Sequence, residues 1–286
     1  MFRNSGERLG KGNSLPRMWL NALPSPPTAR AAAVAMKGCI PPPSRPDLPQ
    51  HATTEEELLC AAIAVEEEME ENPPSSDIPK VSAEIVALYS LDSRLYKLAN
   101  AWGSHPGRSV DAMGPVAPFF RCFLEGLYRL PQRMQYCGPA VRVMKVGAVP
   151  SLIESFDSYD KTFAKGTELS FYSFASFGID EKKLEAFTGS VSERIIVLTC
   201  RELQGYHIDE LSMIPRSGGD VETEVLVPCP SFFRVSDVPR RLHKVVFVAI
   251  ELDTNKTAKA AYFRPNMQLP PIPKVTNTET TVLSCR

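Results

Sequence analysis

Glu222-Thr223-Glu224-Val225-Leu226-Val227-Pro228 reads as a short β-strand with carboxylates at its mouth and an apolar, β-branched body closed by proline. Side chains at i and i+2 of a strand share a face. Glu222 and Glu224 therefore project into the same space, and Val225 and Val227 point the other way. Two like charges so placed repel, which is costly unless a cation occupies the site. The turn-forming run 215–220, Pro-Arg-Ser-Gly-Gly-Asp, leads directly into the pair.

This strand belongs to a series. Val141–Val146, Glu168–Phe177, Arg194–Thr199, Phe232–Val235 and Lys244–Leu252 are also short and rich in β-branched or aromatic residues. Val149–Phe163 and Asp180–Phe187 read as short helices between them.

The texture upstream is different. Thr53-Thr54 followed by Glu55-Glu56-Glu57 is an N-cap with acids in the first turn, and Asn72-Pro73-Pro74 stops the helix it starts. The acids near its end form a solvated face. Val81, Ile85, Leu88, Leu95, Leu98, Ala99 and Trp102 recur at helical spacing, which predicts one amphipathic helix of about 20 residues. Val116 to Leu130 reads as a third helix, closed by Pro131. Helices first and strands after predict an α+β fold rather than an alternating parallel sheet. No Gly-x-Gly-x-x-Gly follows a strand, so a Rossmann-type dinucleotide site is not expected.

The expected organisation is a Pro/Ser/Arg-rich disordered tail over 1–50, a domain over 51–252 and a C-terminal tail over 253–286. The domain divides into a helical part, 51–135, and a β-rich core, 138–252. Composition narrows the partners. Among 286 residues the net charge is −1, so no strong field draws nucleic acid, and Arg240-Arg241 with His243-Lys244 reads as a solvated cluster. No apolar stretch approaches the ~20 residues of a membrane span. The first residues lack a signal-peptide core, and the acid-poor first fifty are compatible with an organelle transit peptide. The seven cysteines show no Cys-x-x-Cys and no ligand spacing with the four histidines, so a zinc or other metal site is not expected. Reduced, mostly buried thiols fit an intracellular protein.

Four further stretches complete a pattern. Ser173-Phe174-Ala175-Ser176-Phe177-Gly178-Ile179 resembles the Phe-x-Ser-x-Ser segment of arginine-specific mono-ADP-ribosyltransferases, and Glu222–Pro228 resembles their Glu-x-Glu-Val-Leu-Ile-Pro strand. Ala87-Leu88-Tyr89, Leu95-Tyr96-Lys97-Leu98-Ala99-Asn100 and Leu127-Tyr128-Arg129-Leu130-Pro131 are similar to their helical lead-in. The resemblance covers roughly residues 81–238. It implies the family's split, mixed β-sheet core and its arginine–serine–glutamate site, which uses NAD as substrate without a metal.

The resemblance also implies roles. Arg142, in Val141-Arg142-Val143-Met144, would hold an NAD phosphate, for which the guanidinium fork is suited. Ser176 would hydrogen-bond within the nicotinamide pocket and orient the catalytic glutamate. Glu224 would grip the ribose 2′-hydroxyl and stabilise the charge that develops as nicotinamide leaves. Glu222 would position the acceptor, a protein arginine. Two positions depart from the family pattern: Val143 stands where glycine usually follows the arginine, and Gly178 stands at the last serine. The implied activity is transfer of ADP-ribose from NAD to a protein arginine. The alternatives are NAD hydrolysis, or an inactive descendant that serves as a binding module.

Overall fold

Eight strands form one mixed sheet in this computed structural model, which describes residues 26–43, 45, 48–91, 93–104, 113–146, 150–179, 193–213 and 223–260. The strands are β1 (Gln135–Lys145), β2 (Glu168–Phe171), β3 (Ala175–Gly178), β4 (Ile195–His207), β5 (Glu224–Val227), β6 (Ser231–Val235), β7 (Arg240–Leu242) and β8 (Val245–Leu252). Their spatial order is β1-β3-β5-β4-β8-β6-β2, with β7 on β8 and a second pairing between β1 and β4. The β4–β8 pair is parallel and the other pairs are antiparallel. The fold is α+β, as the order of helical and strand-like segments predicts.

The sheet is split. β2, β6, β8, β4 and β1 form a broad surface with long registers, while β3 and β5 make a two-stranded ribbon. One register pair, Val141↔Gly178, joins the ribbon to β1, and two pairs join it to β4. β4 serves both parts because it is long. Its first half pairs with β1 and β8, and its last residues, Tyr206 and His207, reach β5. The β1–β4 register shifts between Gly138 and Ala140, where Pro139 has no N–H to donate and two residues of β4, Arg201 and Glu202, face it.

Helices cover one flank of the ribbon: α1 (Ala29–Val34), α2 (Glu55–Glu71), α3 (Lys80–Ser90), α4 (Arg94–Ser104) and α5 (Ala117–Tyr128). Alternation along the ribbon separates two cores. Phe174 and Leu226 pack with Ile85, Leu88, Phe120 and Phe123 of the helices. Ala175, Phe177, Val225 and Val227 face Ile196, Leu198, Phe233 and Val248 of the broad sheet. Two short helices, α6 (Pro150–Asp157) and α7 (Tyr159–Thr162), lie near this second core, which Phe156 and Phe163 close.

Four expectations change. Part of the stretch expected as a tail, from residue 26 on, is folded instead. Thr28 caps α1, and Ala29, Ala32, Ala33 and Met36 are buried among the helices. Alanine gives up little side-chain entropy on burial, and this short run is masked by the prolines and serines around it. Second, the single helix expected across 81–102 is two helices. Ser90, whose hydroxyl donates to the Ala87 carbonyl at 2.9 Å and so competes for the backbone, precedes the extended residue Leu91. The break leaves the apolar stripe in phase, so periodicity does not report it. Third, Glu168–Phe177 is two strands, β2 and β3. Fourth, the start of the stretch expected as a C-terminal tail is a helix, α8 (Thr254–Ala260), whose Thr257 hydroxyl accepts the N–H of Phe232 at 3.0 Å. The helix expected at 180–187 lies outside the described residues.

Candidate active site

Arg142, Ser176 and Glu224 stand on β1, β3 and β5, which are consecutive in the sheet. Ser176 lies opposite Leu226, and Gly178 lies opposite Glu224. By the two-residue alternation, the Ser176 and Glu224 side chains share one face of the ribbon. Val141 rather than Arg142 pairs with Gly178, so the Arg142 side chain leaves from the opposite face. Its guanidinium nevertheless reaches the backbone of β3. Beyond the single β1–β3 pair, the carbonyl of Ser176 accepts the Arg142 guanidinium through Nη1 at 2.6 Å, in place of a ladder donor. The guanidinium also lies 5.7 Å from the ring centre of Phe171. Its Nε is buried and has no hydrogen-bond partner among the described residues.

Charge couples these groups. Burial pulls the Arg142 guanidinium below its ordinary pKa, and the negative forms of Tyr89 and Glu224 act against that pull. Arginine stays protonated at neutral pH even so. Tyr89 of α3 is coupled to both charges. Burial raises its pKa; the hydrogen bond from Asn100 lowers it, Glu224 raises it and Arg142 lowers it. Tyr89 Oη accepts from Asn100 Nδ2 at 2.7 Å. Its ring stacks on Phe123 at 4.4 Å and meets Phe174 edge-on at 5.4 Å. The helical layer thus delivers a rigid hydroxyl–amide pair to the mouth of the ribbon.

The backbone of Glu224 is held from the β4 side. Its carbonyl accepts from Ile208 N at 3.1 Å, and its N–H donates to Asp209 Oδ1 at 2.6 Å. Asp209 Oδ2 lies 3.6 Å from His207 Nδ1, and the His207 ring meets Tyr136 edge-on at 5.0 Å. Glu222, the first acid of the pair, lies outside the described residues. Val225 and Val227 point into the strand core, as the alternation predicts.

Tyr89, Asn100 and Asp209 are neighbours of the site that reading the residues did not single out. Tyr89 and Asn100 lie in the helical fragments that carry the resemblance, but nothing local shows that they meet each other or the strands. Asp209 is one acid among many after a strand. Elsewhere, Cys39, Cys122, Cys200 and Cys229 are buried free thiols, as expected. Burial pushes the Cys39 and Cys200 thiols up to about 11. No group of three His, Cys, Asp or Glu among the described residues could hold a metal ion. No described helix is long and apolar enough to cross a membrane.

No protein-family model matches the chain, and neither does any curated protein. Solved structures do match. The type III effector XopAI of Xanthomonas axonopodis pv. citri aligns over 82% of this chain and 88% of its own, with 13% identity and a TM-score of 0.52. The ADP-ribosyltransferase HopU1 of Pseudomonas syringae pv. tomato aligns over 78% of this chain and 96% of its own, with 13% identity and a TM-score of 0.47. The ADP-ribosyltransferase Vis of Vibrio splendidus aligns over 73% and 91%, with 20% identity and a TM-score of 0.45. The likeness to XopAI is a likeness of fold.

Proposed function

We propose that this chain transfers ADP-ribose from NAD to an arginine of a protein acceptor and releases nicotinamide. The observation that carries this reading is the convergence at the split. A half-buried arginine on β1, the main chain of Ser176 on β3 and a carboxylate at the start of β5 lie within electrostatic reach of one another. A phosphate and an electron-poor sugar are the two substrate parts that such a cation and such an anion suit.

Arg142 spends one donor on Ser176 and keeps others of its five for an NAD phosphate. The bond to Ser176 fixes the guanidinium plane, so little freedom is lost on binding. Glu224 faces the ribose. As the bond between ribose C1′ and the nicotinamide nitrogen lengthens, positive charge grows on the sugar, and a carboxylate beside it stabilises that state more than the ground state. The acceptor nitrogen then bonds to C1′, and its proton must leave. Glu222, by its place in the motif, is the group assigned to take it by hydrogen bonding.

The test uses the purified full chain, labelled NAD, and agmatine or a protein mixture as acceptor. The expected result is nicotinamide release matched by label on the acceptor. Glu224→Gln should lower kcat by about 10²-fold or more, with its thermal midpoint unchanged. Nicotinamide release without acceptor labelling would replace transfer by hydrolysis. No nicotinamide release and no NAD binding would overturn the reading.

A further inference from the structure

The N–H of Glu224 is the first main-chain donor of the four-residue strand β5. This N–H donates to a side chain, Asp209 Oδ1, at 2.6 Å. A charged acceptor at that distance makes a strong bond, and the adjacent Ile208 N–H closes the other side of the residue at the Glu224 carbonyl. Two bonds to consecutive residues of one turn fix both the position and the rotation of the Glu224 Cα.

That turn is itself pinned from three directions. Asp209–Leu211 is a single 3-10 turn with Leu211 buried. Glu210 accepts from Arg133 Nη1 and from Ser75 N, each at 2.8 Å, and Arg133 holds Asp77 through two further bonds. Met213 N donates to Ser90 Oγ at 2.7 Å, directly after Tyr89 in α3. The Asp209 carboxylate therefore belongs to a rigid block that spans the helical layer and the end of β4. Such support is what keeps a reacting group within the tolerance that catalysis requires.

We propose that Asp209 is a positioning residue for Glu224, setting where its carboxylate stands relative to Arg142 and the sugar. This rests on the catalytic reading of Glu224 given above. Asp209 acts through the backbone of Glu224 and does not touch substrate. Asn at this position keeps an acceptor oxygen of the same reach, and Ala removes it.

The experiment compares the full chain with Asp209→Ala, Asp209→Asn and Glu224→Gln. It reads kcat and KM for NAD by nicotinamide release, thermal midpoints, and amide exchange at Glu224. In Asp209→Ala, a displacement of about 1 Å should cost about 10²-fold in kcat, while KM and the thermal midpoint hold. Exchange of the Glu224 amide should quicken by about tenfold or more as its bond is lost. Asp209→Asn should recover most of the lost rate and the slow exchange. Undiminished kcat in Asp209→Ala, unchanged Glu224 exchange, or an Asn variant as defective as Ala would each overturn the positioning role alone. A Glu224→Gln variant with full turnover would instead remove the catalytic reading beneath it.

Discussion

Glu84 shows how one residue can carry a pH signature. It is a buried acid on α3, with Lys80 Nζ at 3.6 Å and its charge near that of Glu66 on α2. Burial raises its pKa above the ordinary 4.5, the charge of Lys80 acts against this, and Glu66 adds to it. A folded-state pKa above the unfolded one means that folding favours the protonated form. The contribution to stability is present below 4.5 and is lost as pH rises through the folded value. Glu84→Gln, neutral at every pH, should therefore raise the thermal midpoint near neutral pH by about 2–4 °C, and the gain should vanish in acid. Paired melting curves at the two conditions decide it. At this scale the sequence is legible in part. Glu224 and Arg142 stand out because an acid pair and an arginine interrupt apolar strands. Glu84 does not, because its burial depends on α2 and α5 closing over α3. Asp209 is equally silent, since its partner is a main-chain donor 15 residues away.

Elements depend on close backbone approach, and Gly205 in β4 is the sharpest case. A Cβ there would stand 2.7 Å from the Leu226 carbonyl oxygen and 2.7 Å from Val225 Cγ1. The backbone oxygen cannot rotate away, so β4 and β5 would have to separate. Gly205→Ala should cost about 1–3 kcal/mol, read by denaturant unfolding. It should also weaken nicotinamide release, because β5 carries Glu224. By contrast, the Thr54 cap was readable from its neighbours alone, and its hydroxyl accepts from Glu57 N at 3.1 Å. The break between α3 and α4 was not. Tyr89 and Asn100, 11 residues apart, would be separated by roughly 16 Å along a straight helix. Their 2.7 Å contact exists because the chain turns back at Leu91.

Across the whole molecule, the helical layer and the sheet are joined by the ion cluster of Asp77, Arg133 and Glu210, which is at most slightly buried. The hydrogen bonds from Arg133 hold the carboxyls of Asp77 and Glu210 below their ordinary 3.8 and 4.5. Depressed folded-state values contribute stability above the ordinary range, and that contribution is lost as pH falls through them. Arg133→Gln should therefore lower the thermal midpoint near neutral pH, and the gap to the parent chain should close in acid. Because these charges are solvent-screened, the gap should also shrink in high salt. A gap that persists in acid would show that packing rather than charge joins the layers. The sequence by itself determined the class of fold, most strands and the long capped helix, because helix and strand periodicities, caps and prolines are local properties. It also placed an arginine, a serine and a glutamate on three strands. Only the tertiary structure decided that these strands are neighbours and that the sheet opens between β1 and β3. It also brought Tyr89, Asn100 and Asp209 to the same place. Those contacts join residues far apart in the chain, and their energy is set by packing and electrostatics between elements, which no window of sequence contains.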